Sequence, residues 1–420
     1  MEQVTHLAYA LDTFYLLISG ALVMWMAAGF AMLEAGLVRA RNTAEILTKN
    51  LALFAIATLM YLLLGYGFMY PSGGDGLFPA FAGFGVLEGD VEAQAGPASH
   101  SGDGHARLAD FFFQVVFAAT AMSIVSGAVA ERMKLWPFLL FCLAMTGFIY
   151  PLQGYWSWGG GFLADLGFKD FAGSGVVHLA GASAALAGVL LLGPRRGKYG
   201  KDGSIHAIPG ANLPLATLGT FILWLGWFGF SGGSALKIAG VAEARAVAAI
   251  FVNTNLAAAS GLLTALIVGR LLFGKADLTL ILNGALAGLV AITAGPLAPS
   301  PQAASLIGAT GGGLVVFAII ILDKLRLDDP VGAISVHGVV GIWGLLAVPL
   351  TQAEASLGAQ LAGIGTILGW VLLSSLLIWF LLKVTLGLRV SEEAEWEGLD
   401  VSECGLAAYP EFISAKGSGL

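Results

Sequence analysis

Two histidines lie deep within apolar stretches of the sequence, where ionisable side chains are rare. His178 occurs in SGVVHLAGASAALAG and His337 in GAISVHGVVGIWG. A neutral imidazole donates a hydrogen bond at one ring nitrogen and accepts one at the other. Two facing imidazoles could therefore solvate a small neutral polar molecule and relay a proton. The structural alternative is that each ring is bonded to a backbone carbonyl, but two histidines at related positions favour a functional pair.

A second group of residues combines aromatic rings with a hydroxyl in a pattern that could attract a cation. Trp158 lies in YWSWGGG, Phe117 follows three phenylalanines, and WLGWFGFSGGSA contains Trp227, Phe230 and Ser234. An aromatic face attracts a cation, more strongly where water is partly removed. Aromatic residues at the two membrane surfaces explain most of the ten tryptophans. The glycines beside Trp158 and Phe230 instead favour the close approach of something small.

The spacing of two aspartates suggests an internal repeat. Asp170 precedes His178 by eight residues, and Asp329 precedes His337 by the same interval. A carboxylate at a helix N-terminus is stabilised by free backbone N–H groups and by the helix dipole. Capping is thus a sufficient explanation for both, although Asp170 could also stabilise a nearby cation through its field. Matching motifs five spans apart, in helices of opposite direction, predict an inverted repeat with a substrate path at its interface.

These side chains must be positioned by membrane-spanning helices. The chain has 420 residues, of which 57% are hydrophobic and 11% charged, whereas soluble domains carry roughly 25% charged residues. Apolar runs of about 18 residues or more recur throughout. We therefore predict an all-α polytopic membrane protein with eleven transmembrane helices, arranged as an inverted repeat of helices 1–5 and 6–10 plus a final helix. The predicted spans are 9–36, 46–70, 109–130, 135–154, 175–193, 212–231, 244–269, 277–296, 302–322, 331–351 and 359–386.

The distribution of basic residues predicts the orientation of these helices. Sixteen of the 20 Lys and Arg residues lie in loops on one side or in the tail. Basic residues are enriched in cytoplasmic loops, which places the C-terminus in the cytoplasm and the N-terminus outside. We expect a membrane domain over 1–386 and a cytoplasmic tail over 387–420. The other side holds the remaining four: Arg107, Lys169, Lys237 and Arg245.

The remaining ionisable residues offer little evidence for other functions. The loop 71–108 contains His100 and His105, which could bind a metal but are better explained as solvated loop residues. Glu34, near the inner end of the first span, could reach the interface, and a proton-relay role is the less favoured interpretation. No HExxH motif, phosphate loop, nucleophile elbow or basic-aromatic patch occurs. We therefore predict no enzyme activity, no cofactor and no nucleic-acid partner.

Seven further motifs are spread along the chain: GLVRARN at 36–42, GAVAERMK at 127–134, WGGGFLADLGFKDFAGSGVVH at 158–178, GWFGFSGGSA at 226–235, FVNT at 251–254, DDPVGAISVHGVVGIWG at 328–344 and GLRVSEEAEWEGLD at 387–400. Together they resemble the ammonium transporter (Amt) branch of the Amt/Rh/MEP family. The resemblance covers nearly the whole chain. It implies a homotrimer in the plasma or inner membrane, surrounded by lipid, with one ammonium or ammonia pore through each subunit.

The resemblance also implies a role for each candidate residue. Trp158, Phe117 and Ser234 would form an outer ammonium-binding site, and Phe117 and Phe230 would form a gate below it. His178 and His337 would be the twin histidines of the pore, Trp227 would line its wall, and Asp170 would support the outer site. These roles imply transport that supplies the cell with nitrogen.

The tail departs from the pattern of the family. Cys404 stands where His is common, and Leu406 where Glu is common, which weakens the implied coupling to a PII-type regulator at the cytoplasmic face. The sequence ends in SAKGSGL, as a sensor cut before its signalling domain would. Val115 and Val116 are bulky residues close to Phe117. An ammonium sensor that binds at the outer site but transports little is therefore the alternative to a transporter.

Overall fold

The computed structural model describes residues 2–71, 73–84 and 104–412, and these ranges are built from helices. The principal helices are α1 (Gln3–Leu37), α2 (Ala40–Met69), α3 (Arg107–Ala128), α4 (Leu135–Asp165), α5 (Ser174–Leu192), α6 (Leu213–Gly232), α7 (Val241–Phe273), α8 (Leu278–Thr293), α9 (Pro301–Lys324), α10 (Ile334–Thr351) and α11 (Leu357–Thr385). Two short helices follow in the tail, α12 (Glu392–Glu397) and α13 (Leu399–Cys404). Apart from isolated bridges, the described ranges contain no β-structure. The all-helical class is therefore confirmed.

The lengths of the helices test the number of predicted spans. In the described part of the chain, ten helices are long and apolar enough to cross a membrane. The remaining one, α8, has 16 residues, or about 24 Å at 1.5 Å per residue, against a hydrocarbon core of about 30 Å. Every residue of α8 from 282 to 293 is nevertheless buried. Each predicted range overlaps one helix, whereas the number eleven stays a prediction.

Within the described ranges, five helices contain a wider π-helical turn. These turns lie at Tyr61–Gly65, Met145–Ile149, Ser174–Leu179, Phe228–Gly232 and Ile334–Val339. A π turn inserts an extra residue into an α-helix and is frequent at functional sites. Three of the five carry candidate residues, namely His178, Phe230 and His337. The turns therefore determine the directions in which these rings point.

Small residues bring several helices into close contact. Within α9, a methyl group added at Gly312 would collide with the backbone of Gly261 in α7. Likewise, a methyl group added at Gly288 in α8 would collide with the Ala257 carbonyl of α7. Small residues permit such approach in membrane proteins, where packing rather than water drives helix association. The three helices therefore form one closely packed unit.

The outward faces of several helices are apolar. Trp25 of α1, Leu271 of α7 and Leu373 of α11 are all large and exposed. In water such a surface would be unfavourable. The same surface suits a hydrocarbon environment, as the composition of the chain predicts.

A buried network of charges joins the predicted inner ends of the helices. The Arg195 side chain donates to both oxygens of Asp328, at 2.9 Å each, and to Glu131 at 3.0 Å. Glu131 also accepts from Arg39. Burial alone would raise the pKa of the Asp328 carboxyl, but Arg195 and the nearby Arg132 hold that pKa below its ordinary value. The pKa of Glu131 is likewise lowered by Arg195 and Arg39 despite its burial.

The first part of the tail is folded against the membrane helices. Asp400 accepts a hydrogen bond from the backbone N–H of Glu45 at 2.9 Å, and Asn42 accepts one from the N–H of Leu399 at 2.9 Å. The thiol of Cys404 lies 3.7 Å from the hydroxyl of Thr48, and Leu406 is exposed. The terminal SAKGSGL lies outside the described residues. The tail from 387 to 412 is thus tied to α2.

Candidate functional site

The two predicted pore histidines are in direct contact. The Nδ1 atoms of His178 and His337 are 3.1 Å apart, and their rings are inclined by 23° with centroids 5.0 Å apart. Both side chains are buried. Since one shared proton bonds the two Nδ1 atoms, the neutral rings take opposite tautomers. They are therefore bonded to each other, in contrast to the structural alternative of two separate backbone contacts.

The opposite tautomers leave the pair with one donor and one acceptor at its Nε2 atoms. A proton that arrives at the accepting Nε2 can release the proton at the other Nε2 after the shared proton crosses. The Nε2 of His178 is buried and has no hydrogen-bond partner among the described residues. It is therefore available to a small polar molecule.

The two aspartates fix the turns that carry the histidines. Asp170 accepts hydrogen bonds from the N–H groups of residues 173, 175 and 176, at 2.8–3.1 Å. Asp329 accepts from the N–H groups of residues 333, 334 and 335, at 2.8–3.2 Å. Both carboxylates thus satisfy free donors at a helix start, as the capping interpretation expected. The correspondence between the two segments therefore includes their backbone geometry as well as their sequence.

The predicted aromatic residues form a continuous row that ends at His178. The Phe117 and Phe230 rings are stacked with centroids 4.1 Å apart, and the Phe230 ring is 5.4 Å from that of His178. Trp158 meets Phe117 edge-on at 6.0 Å and donates its indole N–H to the Asp170 carbonyl at 2.7 Å. Ser234 donates to the Phe230 carbonyl at 2.8 Å. The stacked phenylalanines separate Trp158 from the histidine pair.

Trp227 lies against the same histidine. Its ring is 5.0 Å from the His178 ring and inclined to it by 18°. Its indole N–H donates to the hydroxyl of Thr293 in α8 at 2.9 Å. The sequence analysis did not identify Thr293, because a single threonine in an apolar helix has no distinguishing pattern.

A cavity on the predicted inner side of His337 was also not identified from the sequence. It is lined by Phe30, Glu34, Ser123 and Asn283 as well as by His337. These polar residues come from helices α1, α3, α8 and α10, so only the fold brings them together. The expectation that Glu34 reaches the interface was wrong, since its side chain is buried. The cause is that α2 and α3 cover this side chain, through Asn50 and Ser126 respectively.

The loop histidines do not behave alike. The expectation that His105 is solvated was wrong, because the side chain is buried. The following residue, Ala106, donates its N–H to the Thr13 hydroxyl of α1 at 3.0 Å, which draws the segment against the bundle. His100 lies outside the described residues. Among the residues that are described, no group of three or more His, Cys, Asp or Glu side chains could hold a metal ion.

The chain is similar to known sequences over nearly its whole length. The family model described as Ammonium Transporter Family matches residues 14–409. Ammonium transporter Amt2 of Archaeoglobus fulgidus is 41% identical over 437 residues, covering 96% of this chain and 89% of its own. A putative ammonium transporter of Synechocystis sp. is 40% identical over 407 residues, covering 96% and 90%.

Solved structures are similar over the same length. A structure described as Sensor Amt Protein has a TM-score of 0.88 and 35% identity, and the match covers 96% of this chain and 100% of that one. The crystal structure of Candida albicans Mep2 has a TM-score of 0.80 and 26% identity, covering 98% and 93%. The fold is therefore shared with both proteins across nearly the whole chain.

Proposed function

This chain belongs to the ammonium transporter family and transports ammonium across a membrane that it spans many times, and we propose that it does so by separating the ion into ammonia and a proton. The observation that carries this proposal is the buried contact between His178 and His337, at 3.1 Å. It supplies a proton relay within an apolar path. The relatives of this chain are named as transporters rather than enzymes, which agrees with the lack of a catalytic motif in its sequence.

Recruitment of the ion is assigned to the outer aromatic site. Trp158, Phe117 and Ser234 would bind ammonium there, and cation–π attraction contributes roughly 0.5–2 kcal/mol. Removal of a charged ion from water costs several kcal/mol. The aromatic site can therefore hold the ion at the mouth but cannot carry it through an apolar pore. Asp170 supports the site by holding the indole of Trp158 through its backbone carbonyl.

Passage requires the ion to lose a proton at the gate of Phe117 and Phe230. An N–H bond of ammonium breaks, the proton joins the histidine relay, and neutral ammonia moves on along His178, Trp227 and His337. The two products travel separately and recombine inside. Potassium, which has no proton to give, is rejected by this mechanism.

The setting of the pore is also part of the proposal. A membrane domain over 1–386 would lie in the plasma or inner membrane with the N-terminus outside, and the tail over 387–420 would lie in the cytoplasm. Three copies would form a homotrimer surrounded by lipid, each with its own pore. A PII-type regulatory protein is a candidate partner of the cytoplasmic face.

Replacement of both pore histidines tests the mechanism. We expect H178L/H337L to lower the ammonium-driven current in proteoliposomes about a hundredfold or more, the scale of a lost proton-transfer group. The control is H6L, because His6 is exposed near the N-terminal start of α1. A current in the double variant equal to that of the unmodified protein would contradict the mechanism.

A sensor is the second candidate function. Two observations favour it: the Phe117 and Phe230 rings are stacked at 4.1 Å across the path, and the fold matches that of the protein described as a sensor. A sensor would bind ammonium and give only a brief charge transient on an ammonium pulse. A transporter would give a sustained, saturable current. The same proteoliposome recording distinguishes the two.

A further inference from the structure

Glu34 of α1 is a buried carboxyl group that the pathway above does not use. Its side chain is 1% exposed. The hydroxyl of Ser126 in α3 lies 2.6 and 2.8 Å from its two oxygens, and the Asn50 amide of α2 donates to it at 2.9 Å. Within the described ranges, no Lys or Arg forms an ion pair with Glu34. The Lys49 side chain is instead paired with Glu45 at 2.6 Å. A buried carboxylate without a counter-charge is costly.

The contact with Ser126 can accommodate either protonation state of Glu34. A hydroxyl has one proton to donate, and the Ser126 hydroxyl also lies 2.7 Å from the Ser123 carbonyl. When it donates to Glu34, the carboxylate is stabilised. When it donates to Ser123 instead, a protonated Glu34 can donate to the Ser126 oxygen. Rotation of one hydroxyl thus allows both forms to be hydrogen-bonded.

The location of Glu34 connects it to the pore. Glu34 and His337 line the same cavity, together with Ser123 and Asn283. His337 is the inner member of the buried imidazole pair. A proton that leaves this pair and an ammonia molecule that passes it therefore enter a space with one carboxyl group.

We propose that Glu34 carries the proton at the inner end of the pore, an inference that rests on the proposed twin-histidine pathway. The carboxylate accepts the proton released by the histidine pair, so an imidazole N–H bond breaks and an O–H bond forms. It then gives this proton to ammonia in the cavity, so the O–H bond breaks and a fourth N–H bond forms. Ammonium leaves towards the inner solvent, and the carboxylate is regenerated.

The neighbouring ionisable groups are few. On α2, Lys49 and Glu45 act on Glu34 through their charges, and His337 of α10 faces it across the cavity. From α3 and α8 the facing side chains are the uncharged Ser126, Ser123 and Asn283. A purely structural Glu34 would only tie α1 to α2 and α3 by hydrogen bonds, which an amide can imitate.

Infrared difference spectroscopy on the full chain in liposomes separates these roles. Ammonium chloride is added, with potassium chloride as the reference. In the unmodified protein, we expect ammonium to produce a difference band from the C=O group of protonated Glu34. This band should be absent in E34Q. E397Q is the control, because Glu397 is an exposed carboxyl group in the tail. If E34Q shows an unchanged band, or the unmodified protein shows none, the proposal is wrong.

Transport provides the second measurement. We expect E34Q to lower the ammonium-driven current about a hundredfold, whereas E34D, which keeps a carboxyl group, retains current with a shifted pH profile. E397Q should match the unmodified protein. A current in E34Q with unchanged size and pH profile would overturn the role of Glu34. Should E34Q fail to fold, an E34D pH profile identical to that of the unmodified protein would overturn it.

The two measurements also distinguish failure of this inference from failure of the twin-histidine pathway on which it rests. Current that depends on the histidines but not on Glu34 contradicts only the inference. A carboxyl band that depends on Glu34, in a protein whose current does not depend on the histidines, contradicts the histidine pathway and supports proton uptake by Glu34.

Discussion

Single residues determine whether the histidine-bearing turns keep their shape, and the clearest case is Asp170. Its carboxylate accepts hydrogen bonds from three backbone N–H groups at the start of α5. Because buried backbone donors are costly to leave unpaired, one short side chain stabilises the whole start of α5. Asp329 does the same for α10.

Removal of the Asp170 carboxylate should therefore destabilise the protein. We expect D170A to lower the free energy of unfolding in detergent by about 1–3 kcal/mol, the cost of unsatisfied buried donors. The exposed Asp165, five residues earlier, is the matched control, and D165A should change stability by less than about 0.5 kcal/mol. Equal effects of the two replacements would show that the backbone contacts of Asp170 contribute nothing.

At this scale, residue type and spacing predicted much of the candidate site. The pairing of His178 with His337 and the capping by both aspartates follow from rare polar residues in apolar stretches. Glu34 and Thr293 did not follow, because their importance depends on partners from distant helices. No short-range pattern indicates that Ser126 covers Glu34 or that Trp227 bonds to Thr293.

Among the elements, the tight packing of α7, α8 and α9 depends on individual glycines. Two adjacent glycines of α9 differ in this respect. A methyl group at Gly312 would meet the Gly261 backbone, whereas one at Gly313 would lie 3.7 Å from a Thr264 methyl group. The first position has no space for a side chain, and the second has ordinary contact distance.

The two positions should respond oppositely to alanine. We expect G312A to destabilise the protein by about 1–3 kcal/mol through overpacking. G313A should be neutral or stabilising by up to about 1 kcal/mol, because alanine favours a helix more than glycine does. Unfolding in detergent measures both. A G312A variant as stable as G313A would mean that α7 and α9 can separate without cost.

The elements also show the limit of periodicity as a signal. Apolar run lengths predicted the range of each helix, because hydrocarbon thickness sets a minimum length. They did not predict the π turns, since one extra residue changes the direction of a side chain without changing composition. The shortness of α8 was also missed, because buried loop residues at its end are as apolar as the helix.

For the whole molecule, the charge network around Arg195 joins the ends of separate helices. Its carboxylates have pKa values below those of unfolded chains. A lowered folded pKa contributes stability above the unfolded value of about 4, and this contribution is lost as pH falls through the folded pKa. The protein should therefore keep this stabilisation at neutral pH and lose it in acid.

Replacement of Arg195 tests that dependence. We expect R195Q to lower stability at pH 7 by about 3–5 kcal/mol, because it leaves buried carboxylates unpaired. The difference from the unmodified protein should shrink below about pH 4. The exposed Arg196 is the control, and R196Q should cost no more than about 1 kcal/mol. A pH-independent difference for R195Q would contradict the charge-based origin of the stabilisation.

The contact between Asp400 and the start of α2 has a consequence for the time course of synthesis. The N–H of Glu45 emerges from the ribosome 355 residues before its acceptor. The side chain of Asn42 precedes its hydrogen-bond donor, the N–H of Leu399, by 357 residues along the chain. The contacts at the start of α2 are therefore completed only after α11 has been made, and a nascent chain released before residue 400 would lack that acceptor.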